Sequence, residues 1–255
     1  MKKFITPFGE LSSPQKWISL LMGILLVWTL LPNSKFPPLH EILLAFPKLL
    51  SKNDLVGNFL TSIFFCFKCM GYATLIAFLF FGIAQIPLFK EFAALCRKFR
   101  FLPSVGLSFL FMRMTGEVGV QMTWIMVFGI TTYLIDAGVG IALSITQDEV
   151  NYTKSLRLNA WQALRELVIY GKLADFFQIV IQNFAIAWFL LATVENICKS
   201  SGGIGVVISE SAKYFRLEEV FAIQILILLT GLGLDYSLNK LKDFLFPYTT
   251  LKKTK

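Results

Sequence analysis

Residues 59–81 read FLTSIFFCFKCMGYATLIAFLFF, an unbroken apolar run whose single charge is Lys68. A bilayer core about 30 Å thick takes roughly 20 such residues as one helix, so this stretch predicts a transmembrane helix. The whole chain agrees with that reading. Of 255 residues, 56% are hydrophobic and 16% charged, with a mean hydropathy of +0.66, which excludes an ordinary soluble domain. Further apolar runs lie at Trp17–Leu31, Phe92–Met114 with a break at Pro103, Val118–Ile145, Leu173–Val194 and Val220–Leu241. The expected fold is an all-α integral membrane protein of about six transmembrane helices, forming one domain over residues 1–255.

Two of these runs need comment. Trp17–Leu31 follows Lys2, Lys3 and Lys16, as the apolar part of a signal peptide would, but no small-residue cleavage site follows Leu31; the reading is a retained helix. Phe92–Met114 carries Arg97, Lys98 and Arg100 before Pro103 and Arg113 near its end. Part of it must therefore lie at the interface or face a wet cavity.

Orientation follows from the loops that carry Lys and Arg. With the amino terminus cytoplasmic and sides alternating, sixteen basic residues fall on the cytoplasmic side, and seven on the other: Lys35, Lys48, Lys52, Arg113, Lys199, Lys213 and Arg216. Both termini then face the cytoplasm. The net charge of +8 needs no nucleic acid, and the basic tail Leu251–Lys255 suits anionic lipid headgroups.

Metal, redox and covalent chemistry have little to work with. His40 is the only histidine, and Cys66, Cys69, Cys96 and Cys198 lie in or beside apolar runs, so no metal site of familiar spacing arises. Cys66 and Cys69 share a helical face and read as packing residues. No serine among Ser104, Ser108 and Ser144 has a convincing base, and no phosphate-binding loop occurs. An enzyme is not expected.

Between the fourth and fifth runs, residues 147–172 read QDEVNYTKSLRLNAWQALRELVIYGK, too polar for lipid yet patterned. Leu156, Leu158, Trp161, Leu164, Leu167 and Val168 recur at roughly helical spacing, which predicts short helices with one apolar face. Periodicity alone fits a protein-docking helix and an interfacial helix on lipid equally well.

From Phe36 to Tyr248 the order of landmarks resembles the permease subunits of binding-protein-dependent ABC importers, in the group handling sulfonates, taurine and nitrate. Residues 36–50, FPPLHEILLAFPKLL, resemble the family's Pro-rich segment and following helix. Arg100, Pro103 and Gly116 stand where the family has R-P-x-P-P and a later W-F-G. Asn151–Trp161 resembles its cytoplasmic E-A-A-x-x-L-G-A-x-x-W loop, keeping Leu156 and Trp161 but placing Arg157 at the glycine and Asn151 at the acid. Residues 187–205, AWFLLATVENICKSSGGIG, put Trp188, Glu195, Gly203 and Gly205 at the family's W, E and G-L-G positions, and Asp235, Phe246 and Pro247 fit its closing pattern.

The resemblance implies a type I importer permease in the bacterial inner membrane, passing a small anionic solute. Its partners would be an ATP-binding cassette subunit that holds the ATP and Mg, an extracytoplasmic solute-binding protein, and a second permease copy or paralogue. This chain would hold no cofactor itself. Leu156, Arg157, Trp161, Leu164, Arg165 and Glu166 would dock the ATPase, with Trp161 and Leu164 as buried anchors. Arg100, Pro103, Trp188, Glu195, Gly203 and Gly205 would border the path or its gate. For Arg100 the alternative is snorkelling to the interface, for Glu195 a solvated helix-end carboxylate, and for Gly202, Gly203 and Gly205 a tight turn. Lys68 reads as one half of a structural ion pair with Asp136 or Glu117. The rival reading is a secondary transporter or channel, which needs no docking segment.

Overall fold

A computed structural model describes Ser19, Met22 and Gly23 together with residues 37–52, 55–198 and 202–248. Among these residues every regular element is a helix. The long ones are α2 (Leu55–Ile83), α5 (Val118–Leu143), α8 (Gly171–Cys198) and α10 (Leu217–Leu245). The short ones are α1 (Leu39–Lys52), α3 (Pro87–Lys98), α4 (Ser104–Thr115), α6 (Gln147–Ser155), α7 (Ala160–Leu164) and α9 (Ile204–Lys213). A π-helical stretch, Arg165–Tyr170, joins α7 to α8, so Ala160–Cys198 is one continuous helix of 39 residues.

Four helices are long and apolar enough to cross a membrane: α2, Ala160–Cys198, α5 and α10. Three match a run read from sequence to within about one helical turn, whereas Ala160–Cys198 begins 13 residues before the run Leu173–Val194 because the helix continues from α7 through the π-helical stretch. The run Trp17–Leu31 lies outside the described residues apart from Ser19, Met22 and Gly23, as does the tail Leu251–Lys255.

The run Phe92–Met114 is not one continuous span. It divides into α3, a single 3-10 turn at Phe99–Phe101, and α4. Each α-helix has 12 residues, about 18 Å of rise, against the roughly 30 Å of a hydrocarbon core. The cause is local. Pro103 has no N–H to continue a helix and caps α4 in an extended conformation, and α3 alternates Lys90, Glu91, Arg97 and Lys98 with Leu88, Phe92 and Leu95.

The core forms where α2, α5 and α8 meet. α5 packs along both neighbours, and α3 and α4 lean on it as well. Small residues set the approach: a Cβ at Gly138 of α5 would lie 3.2 Å from the Phe176 ring of α8 and 3.9 Å from Phe81 of α2. Phe81 and Phe176 fill that space with ring centroids 4.8 Å apart. Tight packing of this kind drives helix association in lipid, where no hydrophobic effect separates one helix from another. Cys66 and Cys69 belong to this core and are free thiols, as their packing role requires. α1 and α9 cover α10 with a smaller apolar cluster that includes Ile42, Leu49, Ile204 and Ile223.

Candidate functional site

At one end of the bundle the N–H groups that open α9 are satisfied from other helices. A helix start leaves its first donors without intrahelical partners and carries a partial positive charge. Here Gly203 N–H donates to Asn58 Oδ1 (2.8 Å), Ile204 N–H to Ser62 Oγ (2.9 Å) and Gly205 N–H to Glu195 Oε2 (2.7 Å). The Ser62 hydroxyl in turn donates to Glu195 Oε1 (2.5 Å). Glu195 is 2% exposed, so it is not a solvated helix-end carboxylate. It clasps α8 to α9 and, through Ser62, to α2.

The glycines make the clasp possible. Gly202 and Gly203 have φ of +76° and +110°, which a side chain would strain, and a Cβ on Gly203 would sit 2.5 Å from the Glu195 carboxyl. Gly205 is helical, but its Cβ would lie 2.4 Å from the Ala192 carbonyl. Gly202 and Gly203 serve the turn that one reading of the sequence gave all three, whereas Gly205 serves a close approach inside a helix.

Trp188 lies deeper between helices. Its indole N–H donates to the Ile227 carbonyl of α10 (3.0 Å), its ring stacks on Phe184 and meets Phe59 edge-on, and Gly231 leaves room for it, a Cβ there falling 3.2 Å from Trp188 Cδ1. It is a packing anchor between α8 and α10.

Arg100 and Pro103 are elsewhere. Arg100 pairs with Asp136 of α5 and Arg97 approaches the same carboxylate at 3.7 Å; Arg100 and Pro103 border a small recess of about 220 Å³ with Phe128 and Tyr133. Met122 of α5 packs against Val194, next to the clasp, and Asp136 is 14 residues further on, about 21 Å along the helix. The residues assigned to one path therefore divide between two ends of the bundle.

The Arg100 end also carries residues 147–172, the segment read from sequence as a docking surface. α6 begins at a capping box in which Glu149 accepts from Thr146 N–H (2.8 Å) and Thr146 Oγ1 from Glu149 N–H (3.4 Å). The Thr146 N–H bond, with Lys172 nearby, holds the Glu149 carboxyl below its usual range. Asn159 and Gln162 make a second capping box for α7. Between them Arg157 takes φ +55°, the left-handed region that favours glycine. Trp161 is 68% exposed and Leu156 54%, whereas Leu164 leans against the main core. Arg165 pairs with Glu166 at 3.4 Å on the surface. A cleft of about 620 Å³ beside Trp161 is lined by Ile86, Ile145, Leu158, Leu164 and Val168.

A hollow of about 760 Å³ runs between α2 and α5, and of the sequence-assigned path residues Glu195 alone borders it. One wall is the α2 face Thr61, Phe65, Lys68, Tyr72 and Ile76; the other is Val120, Thr123, Trp124 and Val127 of α5, with Glu117 at the rim. Lys68 forms no salt bridge among the described residues. Of its two expected partners, Asp136 is taken by the arginines and Glu117 shares the groove without pairing.

Sequence reasoning passed over Asn58, Ser62 and Tyr72. Asn58 and Ser62 are four apart in an apolar helix, so they share a face, and that polar pair was the available signal. Among the described residues no cluster of His, Cys, Asp and Glu could hold a metal ion. No protein-family model matches the chain, and no curated protein matches it.

Proposed function

We propose that this chain is the permease subunit of an ABC importer in a bacterial inner membrane, passing a small anionic solute and energised by a separate ATP-hydrolysing cassette. The observation that carries this reading is the segment between α5 and α8: two capped short helices that expose Trp161 and Leu156 beside an apolar cleft. A segment serving only as a loop would have no reason to hold an indole out from a doubly capped turn. Large aromatic side chains of this kind supply most of the energy of a docked interface. Arg157 supports the same reading, since its backbone keeps the left-handed conformation for which the resembling family has a glycine.

Charge placement fits as well. Arg97, Arg100, the docking segment and Lys242, whose ammonium donates to Gln178 at 2.7 Å near the start of α8, gather at one end of the bundle. That end is the cytoplasmic one in this reading, with both termini on the same side. A solute-binding protein would deliver at the clasp end, and a second copy or paralogue would complete the path. Closure of two cassettes on ATP and Mg would draw the paired docking segments together and rock the bundles between inward-open and outward-open states. The chain itself performs no covalent step.

Trp161→Asp is expected to weaken cassette association by about 2 kcal/mol or more, roughly thirtyfold, while membrane insertion is unchanged. Co-purification in mild detergent from the native host, with mass spectrometry of what accompanies the chain, checks this. Recovery of no ATPase with the unaltered chain would favour a secondary carrier.

A further inference from the structure

We propose that the groove between α2 and α5 is a binding site for an organic anion, with Lys68 holding the acidic head and the aromatic and aliphatic walls holding an apolar body. This deepens the transport reading above and rests on it for the direction of movement, though not for the binding itself.

The argument begins with where Lys68 is. α2 runs from Leu55 to Ile83, so Lys68 lies at its middle, six residues or about 9 Å past Ser62 of the clasp. A cation at the centre of a membrane-spanning helix is costly unless it meets water, a counter-charge or a ligand. The carboxylates near the groove do not fill that need. Glu195 spends one oxygen on Ser62 and the other on Gly205 N–H, and Glu117 stands at the start of α5 without an ion pair to Lys68. Asp136 is held by Arg97 and Arg100.

The walls decide which anion. Phe65, Ile76, Val120, Trp124 and Val127 face the hollow, and the Thr61 and Thr123 hydroxyls donate back to Gly57 and Gly119 carbonyls of their own helices. That leaves the Lys68 ammonium, the Tyr72 phenol and the Trp124 indole N–H as side-chain donors of the groove, with Lys68 its one cation among the described residues. A bare inorganic anion would surrender its hydration to a largely apolar surface for one cation. A carboxylate or sulfonate on a body of several carbons would keep the charge pair and bury apolar area, and about 760 Å³ is ample for it.

The test is titration calorimetry on the full chain in lipid nanodiscs, with hexanesulfonate, hexanoate, nitrate and the neutral hexanol as probes. Both organic anions are expected to bind saturably, and nitrate at least about tenfold more weakly. Lys68→Gln should weaken hexanesulfonate by about tenfold to a hundredfold and leave hexanol unchanged, while Lys68→Arg retains anion binding. The proposal is overturned if the unaltered chain binds neither organic anion, if Lys68→Gln binds hexanesulfonate as the unaltered chain does, or if Glu117→Gln restores binding to Lys68→Gln, which would make Lys68 only a counter-ion. Lys68-dependent binding by a chain that recovers no ATPase would uphold the groove and overturn the importer reading alone.

Discussion

Gly205 illustrates how little room the clasp leaves. An added methyl would stand 2.4 Å from the Ala192 carbonyl and 2.8 Å from Glu195 Cβ, and neither backbone nor carboxylate has space to retreat. Gly205→Ala must therefore lift α9 from α8 and break the bonds that Glu195 and Ser62 make to its first turn. Overpacking together with a lost charge-assisted hydrogen bond is worth about 3 kcal/mol or more. Gly140→Ala in α5 meets nothing within 4 Å and should be neutral or stabilising by up to about 1 kcal/mol, as alanine for glycine in a helix is. Thermal unfolding of the two variants in the same detergent gives opposite signs if the clasp is structural, and equal tolerance would remove it from the account.

At the scale of elements, α6 depends on a carboxylate. Its pKa is lowered in the folded chain by the Thr146 N–H, so the stabilisation is complete above the ordinary glutamate value and disappears as pH falls through the lowered one. Amide exchange in residues 147–155 is expected to rise only in that acid range, and Glu149→Gln should abolish the pH step there. The long helices were legible in sequence because each is a continuous apolar run. The break at Pro103 was legible as well, but not that it leaves α3 and α4 with 12 residues each, because a hydropathy average over Phe92–Met114 runs across it. Half of the clasp, Glu195, Gly203 and Gly205, stood out in the sequence, but its partners did not: Ser62 and Ile204 are 142 positions apart, and nothing local tells a serine in an apolar helix that it will cap another one. Lys68 was visible as a charge, but its expected partner depended on which helices face each other. The fold gave Asp136 to Arg97 and Arg100 instead.

Across the whole molecule the helices are unequally enclosed. In their most apolar windows 61% of α5 is buried against 17% of α10. Local opening follows contact density, so amide exchange in nanodiscs should be slowest in α5 and faster in α10, with α3 exchanging early as well. Equal protection of α5 and α10 would mean that lipid or another chain shields α10 as fully as the bundle shields α5. The π-helical stretch at Arg165–Tyr170 has a different kind of consequence. A π turn holds an extra residue within the path of a continuous helix, so it fixes how Trp161 is rotated about the axis relative to α8. Rewinding the same six residues as ordinary α would swing the indole by about 100° to another compass bearing, whereas deleting one of them as the stretch becomes α would leave that bearing nearly unchanged. That stretch thus works as an indexing notch: its winding, more than its length, aims the indole at whatever it meets.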